Sequence, residues 1–186
     1  MIALAQKKDA IQIAAIHKKE IKQGFLSSLP LAFLEKLYIC IIENDFCIVA
    51  IENSQVVGFV AGTKNIGKLY SYFLKRYFIY SVIILLPKIL NIKKIFETLF
   101  YPKKEDIEPE LLTIAVKSDF QGKGLARQMF EAFVSEMKKR DVKVFKVLVG
   151  EDLKPAISFY ESSGFKFVKE TQVHKGQKSR IYIYQL

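Results

Sequence analysis

The chain has 186 residues, of which 51% are hydrophobic and 26% are charged, and its formal net charge is +10. This length suits one domain with a full core and is too short for two ordinary domains, so we expect residues 1–186 to form a single domain. The hydrophobic content argues against a disordered chain. Cys40 and Cys47 both lie in apolar runs, and no secretory signal or disulfide framework is visible, so we expect buried thiols and a cytoplasmic protein.

The first third of the chain predicts three strands and two helices. In chain order they are a strand at Ile2–Gln6, a helix from Asp9 to Gln23, a helix at Pro30–Glu43, and strands at Phe46–Asn53 and Val56–Thr63. Asp9 is the expected N-cap of the first helix, and Gly24 is its expected end. Gly58 lies inside a strand, where it predicts a bulge or the close approach of a neighbouring group.

An insertion at residues 65–109 follows and carries most of the charge. Residues 64–104 contain nine lysine or arginine residues and a single acidic residue, Glu97, so +8 of the net +10 lies in this segment. Large apolar residues run from Tyr70 to Leu86, and further apolar positions then recur at helical spacing, which predicts a helical insertion. The longest uninterrupted apolar run is about half of the roughly 20 residues that a membrane span needs, so we expect no transmembrane helix.

The rest of the chain predicts four strands and two helices. In chain order they are a strand at Leu111–Val116, a helix at Gly124–Arg140, a strand at Val142–Val149, a helix at Lys154–Ser163, and strands at Phe165–His174 and Ser179–Leu186. Gly164 is expected to end the second of these helices.

A glycine-rich turn at residues 121–126 joins the first of these strands to the helix that follows. A turn in this position presents free backbone N–H groups beside the positive end of a helix dipole, which predicts a phosphate-binding site. A Walker loop needs Ser or Thr after the lysine, where this chain has Gly124. A dinucleotide-binding fingerprint needs a third glycine, where this chain has Arg127. Both nucleotide motifs are therefore excluded by spacing.

The same turn reads Gln-x-x-Gly-x-Ala and resembles the acetyl-CoA pyrophosphate loop of the GNAT N-acetyltransferases. About 30 residues later, Ala156, Tyr160, Gly164 and Phe165 are spaced as in a second signature of that family. The predicted order of elements is also that of the GNAT fold. The resemblance implies an α/β (α+β) fold with a mixed, mostly antiparallel sheet of about seven strands flanked by helices. It further implies two splayed central parallel strands, with the helical insertion between strands 3 and 4.

The resemblance also implies an N-acetyltransferase in which an acceptor amine attacks the thioester of acetyl-CoA directly, without a metal. The resemblance assigns to Tyr160 the role of the family's general acid, which protonates the departing thiolate. A phenol pKa near 10 exceeds a thiol pKa near 8.5 by about 1.5 units, which is small enough for ordinary tuning by the site to correct. Glu110 is the candidate general base. The implied cofactor-binding residues are Ile114, Ala115, Val116, Gln121, Gly122, Lys123, Gly124, Leu125, Ala126, Arg127, Lys154, Ala156, Phe159 and Tyr160.

Two positions depart from the family pattern. Lys154 stands where many members have an asparagine that binds the pantetheine arm. Val149 stands where the ribosomal-protein alanine acetyltransferases have a glutamate, which argues against the same protein substrate. Neither His17 nor His174 has a partner at metal-ligand spacing, so both are expected to be surface or core residues.

The acceptor is expected to be a small-molecule amine, such as an amino sugar or a nucleotide-linked amino sugar. The residues expected to line its site are Phe25, Tyr70, Tyr72 and Phe73. A non-catalytic acyl-CoA sensor is one alternative. A protein or peptide N-acetyltransferase, with the insertion as a membrane or partner interface, is another.

Three roles for the insertion are compatible with its composition. They are a lid over the acceptor, a peripheral contact with anionic lipid, and a homodimer interface. Nucleic-acid binding is not expected, because the aromatic residues of the insertion lie in runs too apolar to remain exposed as a binding platform.

Overall fold

The computed structural model describes residues 1–22, 24–85, 107–174 and 177–186, and its centre is one mixed sheet of seven strands. The strands are β1 (Ile2–Leu4), β2 (Phe46–Glu52), β3 (Gln55–Thr63), β4 (Glu110–Val116), β5 (Val144–Gly150), β6 (Lys166–His174) and β7 (Gln177–Gln185). The helices of the described residues are α1 (Ala10–Glu20), α2 (Leu31–Asn44), α3 (Ile66–Arg76), α4 (Phe78–Leu85), α5 (Leu125–Lys139) and α6 (Lys154–Ser162).

The strand order in the sheet is β1-β2-β3-β4-β5-β7-β6. Neighbouring strands are antiparallel except β4 and β5, which are parallel. The chain can place β4 beside β5 in parallel because α5 provides the long crossover that a parallel pair requires. The predicted fold class, a mixed and mostly antiparallel sheet flanked by helices, is confirmed.

Two buried cores lie on opposite faces of the sheet. On one face, α1, α2 and α3 pack around Tyr38 and Phe59, whose rings meet edge to face with centroids 5.2 Å apart. On the other face, α5 and α6 pack around Phe133 and Phe145, whose ring centroids are 5.4 Å apart. Most of the buried aromatic area therefore lies beside the central strands, where it holds the helices on the sheet.

Two glycines in β3 allow α5 to lie close to the sheet. A Cβ atom at Gly58 would come within 2.9 Å of Met129 Cε, and one at Gly62 would overlap the ring of Phe133. The close approach predicted at Gly58 is confirmed, and a register shift between Ala50 and Ile51 of the partner strand also interrupts the pairing next to it.

The end of α1 differs from the prediction. The helix stops at Glu20, because Ile21 adopts an extended backbone, and Gly24 lies further on in the connection with φ of +102°. Asp9 does occupy the N-cap position, but its carboxylate accepts a hydrogen bond of 2.8 Å from the N–H of Gln6 rather than capping α1. The carboxylate is therefore committed to the preceding turn.

The described part of the insertion is helical, as predicted. Asn65 caps α3 by accepting a hydrogen bond from the N–H of Lys68 at 2.9 Å, and Tyr77 separates α3 from α4. The predicted helical pattern at residues 89–99 lies outside the described residues. Among the helices that the structure describes, none combines the length and apolarity needed to cross a membrane.

Candidate active site

Strands β4 and β5 pair only at one end and then separate. Their register comprises two residue pairs, Glu110 with Lys146 and Leu111 with Val147. Beyond these pairs β4 continues beside β3 as far as Val116, and β5 continues beside β7 as far as Gly150. One backbone edge of β4 at Ile114 and Val116 is therefore left without a strand partner in the described register. The predicted splay of the central parallel strands is confirmed.

The glycine-rich turn lies directly after β4 and leads into α5. Gly122 and Gly124 are exposed, and both have φ of +75°. At Gly122 a Cβ would meet nothing within 4 Å, so glycine is needed there for the backbone conformation and not for space. Gly124 is the N-cap of α5 and provides no side-chain capping bond, so the first N–H groups of the helix point toward whatever occupies the turn. This arrangement suits a phosphate group.

Three side chains hold the turn in place. The Gln121 side-chain amide donates a hydrogen bond of 2.9 Å to the carbonyl of Val116 at the end of β4. Arg127 donates to the carbonyl of Ser162 near the end of α6 at 3.3 Å, which connects the two helices. Lys123 places its Nζ 4.8 Å from the centre of the Phe120 ring. The side chains of Gln121 and Arg127 thus have protein partners. The N–H of Gln121 also has one, because it donates to the carbonyl of Ser118 at 3.2 Å.

Tyr160 lies on α6 and is buried. Its ring packs edge to face against Phe159 and Phe165, with centroids 5.6 Å and 5.1 Å away. Gly164, at φ of +96°, turns the chain so that the N–H of Phe165 donates to the carbonyl of Tyr160 at 3.1 Å. Burial raises the pKa of Tyr160 well above that of a free phenol. The phenol therefore stays protonated at neutral pH. The difference between its pKa and that of a thiol is larger than the difference expected from the sequence.

Lys154 and Ala156 lie on the first turn of α6, ahead of Tyr160. Lys154 is exposed and Ala156 is half-buried. A lysine at the first position of a helix is opposed by the positive end of the helix dipole, so an anionic group nearby would stabilise it. Its assignment to cofactor binding stays a prediction.

Glu110 lies at the closed end of the splay, as the first residue of β4. It is buried, and so are Tyr70 of α3 and Lys146 of β5, its register partner. Burial raises the pKa of Tyr70, and the nearby Glu110 carboxylate raises it further. A carboxylate, a phenol and an ammonium group are therefore gathered in a part of the molecule with little access to water, where electrostatic interactions are strong.

The four residues predicted to line the acceptor site differ in their exposure. Tyr70 is buried near enough to Glu110 for the carboxylate to raise its pKa, and Phe25 is half-buried in the connection between α1 and α2. Phe73 is fully buried against Phe33, so the expectation that it faces an acceptor is wrong. Tyr72 is exposed on the outer side of α3 and accepts a hydrogen bond from Arg76. Residues two positions apart on a helix face opposite sides, so Tyr72 cannot share a surface with Tyr70.

A buried polar network on the same face of the sheet was not predicted. His17 Nδ1 lies 2.6 Å from Tyr38 Oη, and His17 Nε2 lies 3.3 Å from Ser27 Oγ. Burial and the neighbouring Lys18 lower the pKa of His17 to about 4, so the imidazole is neutral at pH 7. The three groups come from α1, from the connection after it, and from α2. Their spacing in the sequence matches no motif, so no signal in the sequence indicated this network. Of the two alternatives left open for His17, surface or core, the structure shows the core.

A second unpredicted contact joins α1 to the turn after β4. The Glu20 carboxylate accepts hydrogen bonds from the hydroxyl and the N–H of Ser118, at 2.7 Å and 3.3 Å. This contact ties the C-terminal end of α1 to the segment that precedes the glycine turn.

A family model described as the acetyltransferase (GNAT) family matches residues 13–165. The chain belongs to the GNAT acetyltransferase family. A search of curated proteins gave no match. GNAT enzymes use acetyl-CoA as their acetyl donor, which confirms the expected cofactor at the level of the family.

Solved structures resemble this GNAT chain over its whole length at low sequence identity. SsHAT is 15% identical with a TM-score of 0.72, covering 100% of this chain and 97% of its own. The ribosomal-protein-alanine N-acetyltransferase of Brucella melitensis is 15% identical with a TM-score of 0.67. The match covers 100% of this chain and 99% of the other. The Salmonella typhimurium protein yncA, solved with its cofactor acetyl-CoA, is 13% identical with a TM-score of 0.66. The match covers 100% of this chain and 92% of the other. These likenesses show the fold.

Proposed function

We propose that this GNAT chain transfers the acetyl group of acetyl-CoA to the primary amine of a small molecule by direct attack. The observation that carries the proposal is that the free edge of β4 and the glycine turn belong to one continuous segment, residues 110–125. An extended ligand with a phosphate at one end and amides along its arm fits such a segment. Backbone groups of the β4 edge can bind the amides, and backbone N–H groups of the turn can bind the phosphate.

The chain meets the donor through its backbone. The edge of β4 at Ile114 and Val116 offers the hydrogen-bonding groups that a pantetheine arm requires, and the N–H groups of residues 122–127 meet the pyrophosphate. The side chain of Gln121 positions the turn, because its amide donates to the carbonyl of Val116. Bound acetyl-CoA supplies an activated thioester carbonyl at the point where the strands separate.

Tyr160 holds the proton that the departing thiolate takes up. Burial keeps the phenol protonated at neutral pH, which is the state a general acid requires. The same burial makes release of the proton harder, by about 1.4 kcal/mol for each pKa unit of mismatch. The proton on Tyr160 Oη is therefore transferred late, when negative charge on the sulfur has developed.

Glu110 takes the proton of the acceptor amine, directly or through water. Its position at the closed end of the splay is next to the place where the acetyl group would lie, and the splay itself leaves room for an amine there. The neighbouring Tyr70 phenol and the Lys146 side chain are both buried, and the Glu110 carboxylate raises the pKa of Tyr70. These three side chains form the polar end of the proposed acceptor site.

A small acceptor suits this site better than a folded protein surface. Glu110, Tyr70 and Lys146 each have less than a tenth of their surface exposed, so the reacting amine has to enter an enclosed space. An amino sugar or a similar compact amine fits this requirement. Phe25, half-buried in the connection between α1 and α2, is the apolar wall that we predict for it.

The proposal is tested by measuring release of free thiol from acetyl-CoA in the presence of amino sugars, polyamines, amino acids and peptides with free N-termini. We expect release with at least one small amine and loss of it in Tyr160→Phe. Binding of acetyl-CoA without release for every acceptor would support the acyl-CoA sensor instead. Release with peptides alone would support a peptide N-acetyltransferase.

A further inference from the structure

Helix α4 turns a stripe of large apolar side chains toward solvent. Phe78, Ile79, Val82 and Ile83 are between 44% and 74% exposed. Their spacing of one, four and five positions places them on a single side of the helix. A monomeric soluble protein seldom leaves four neighbouring large apolar side chains in water, and a patch of this kind marks an interaction surface.

The opposite side of α4 is anchored in the protein. Tyr80 and Ile84 pack against the core formed by α1, α2 and α3, and the ring of Tyr80 stacks on Phe33 with centroids 6.2 Å apart. Lys36 of α2 places its Nζ 5.2 Å from the centre of the Tyr80 ring. The apolar stripe is therefore held outward by packing on the other side, and α4 cannot bury it by rotating without losing these contacts.

The described segment that carries the stripe is basic. Residues 64–85, which include α3 and α4, contain four basic residues and no acidic residue, and Lys68 and Lys75 are exposed on α3. Two copies of the chain that met through this surface would bring two segments of net charge +4 together, which opposes a homodimer. Nucleic acid would satisfy the charge but gives no partner to bulky aliphatic side chains such as Ile79 and Ile83.

We infer that the exposed face of α4 docks on a membrane that carries anionic lipids. Phe78, Ile79, Val82 and Ile83 would enter the boundary between headgroups and acyl chains, while lysines such as Lys68 and Lys75 meet the anionic headgroups. With eight residues, α4 is roughly 12 Å long, so it lies in the plane of the interface and does not span it. The inference concerns where the enzyme acts and is independent of the acetyl-transfer chemistry.

Co-sedimentation with vesicles tests this inference. The full chain is mixed with vesicles of phosphatidylcholine alone and with vesicles of equal parts phosphatidylcholine and phosphatidylglycerol. We expect the protein to pellet with the anionic vesicles and to be released by high salt, because headgroup attraction is screened. The double variant Ile79→Ser and Ile83→Ser should weaken binding about tenfold or more, since two buried aliphatic side chains are lost.

Ile11→Ser combined with Val168→Ser is the matched control. Both residues are exposed aliphatic side chains on other elements, α1 and β6, so this pair should bind anionic vesicles like the parent protein. Absence of the parent protein from the anionic pellet would overturn the inference, and so would equal pelleting of the α4 variant. A dimer in solution that the α4 variant abolishes would assign the stripe to a second copy instead. Acetyl transfer to a soluble amine, measured without vesicles, reports separately on the proposed function.

Discussion

The side-chain amide of Gln121 donates a hydrogen bond of 2.9 Å to the main-chain carbonyl of Val116. The donor is the first residue of the glycine turn, and the acceptor is the last residue of β4. This bond fixes the distance between the free strand edge and the N–H groups of the turn. In the proposed function those two features hold the arm and the pyrophosphate of one ligand, so the bond sets the register of the donor site.

Replacing Gln121 should therefore weaken donor binding more than it slows the chemical step. We expect Gln121→Ala to raise the KM for acetyl-CoA about fivefold, which corresponds to loss of one hydrogen bond worth about 1 kcal/mol, and to leave kcat close to that of the parent. Steady-state kinetics with varied acetyl-CoA measure both constants. Gln172→Ala, at an exposed position of β6, is the control and should change neither. A fall in kcat at unchanged KM would contradict the positioning role.

The second prediction concerns the phenol of Tyr160. Tyr160→Phe should lower kcat about a hundredfold or more and leave acetyl-CoA affinity near that of the parent, because only the proton donor is removed while the buried ring is kept. Binding is measured by calorimetry and turnover by thiol release. Tyr182→Phe is the control. It removes a phenol of β7 that donates a hydrogen bond of 2.8 Å to the Glu161 carboxylate, and the variant should keep full turnover. Unchanged turnover in Tyr160→Phe would remove the acid role.

The third prediction concerns the carboxylate of Glu110. Glu110→Gln should lower kcat and make the remaining activity rise more steeply with pH above neutrality. Without a base, only the fraction of amine that is already deprotonated reacts, and this fraction grows tenfold for each pH unit below the amine pKa. Glu108→Gln, two residues earlier and exposed, should keep the parent profile. Equal pH profiles for Glu110→Gln and the parent would exclude the base role. Thermal unfolding of both variants identifies any loss of stability.

The fourth prediction concerns the pH dependence of stability through His17. Its pKa is lowered from an ordinary value of 6.5 to about 4. The unfolded chain therefore binds a proton below pH 6.5 that the folded chain does not bind until about pH 4. Stability should fall as the pH is lowered through this window, by about 3 kcal/mol in total from this group.

His17→Gln tests this prediction, because glutamine keeps a polar side chain but does not titrate. Urea unfolding at several pH values between 4 and 7 should give a steeper loss of stability on acidification for the parent than for the variant. Parallel curves would show that the buried imidazole does not couple folding to protonation, since carboxylates contribute equally to both proteins.

Part of the fold was predictable because it depends on local signals. The helical periodicity of α2 and α5 and the apolar runs of β2, β3 and β4 lie within short windows, and the order of these elements indicated the mixed sheet. Helix α1 was placed three residues too long, because Ile21 has an apolar side chain that fits the helical pattern while its backbone is extended. Sequence periodicity reports side-chain character and does not report that backbone change.

The sequence alone determined the glycine turn to which the donor site is assigned. Glycines at 122 and 124, in a turn between a strand and a helix, are a local pattern whose backbone conformation follows from glycine itself. Only the tertiary structure decided the acceptor half. It placed Tyr70 near enough to Glu110 for the carboxylate to raise its pKa, left Tyr72 exposed on the outer side of α3, and joined His17 to Tyr38 across two helices. Burial and long-range contact set these roles, and both depend on how distant segments pack, which a single sequence does not encode in any local spacing.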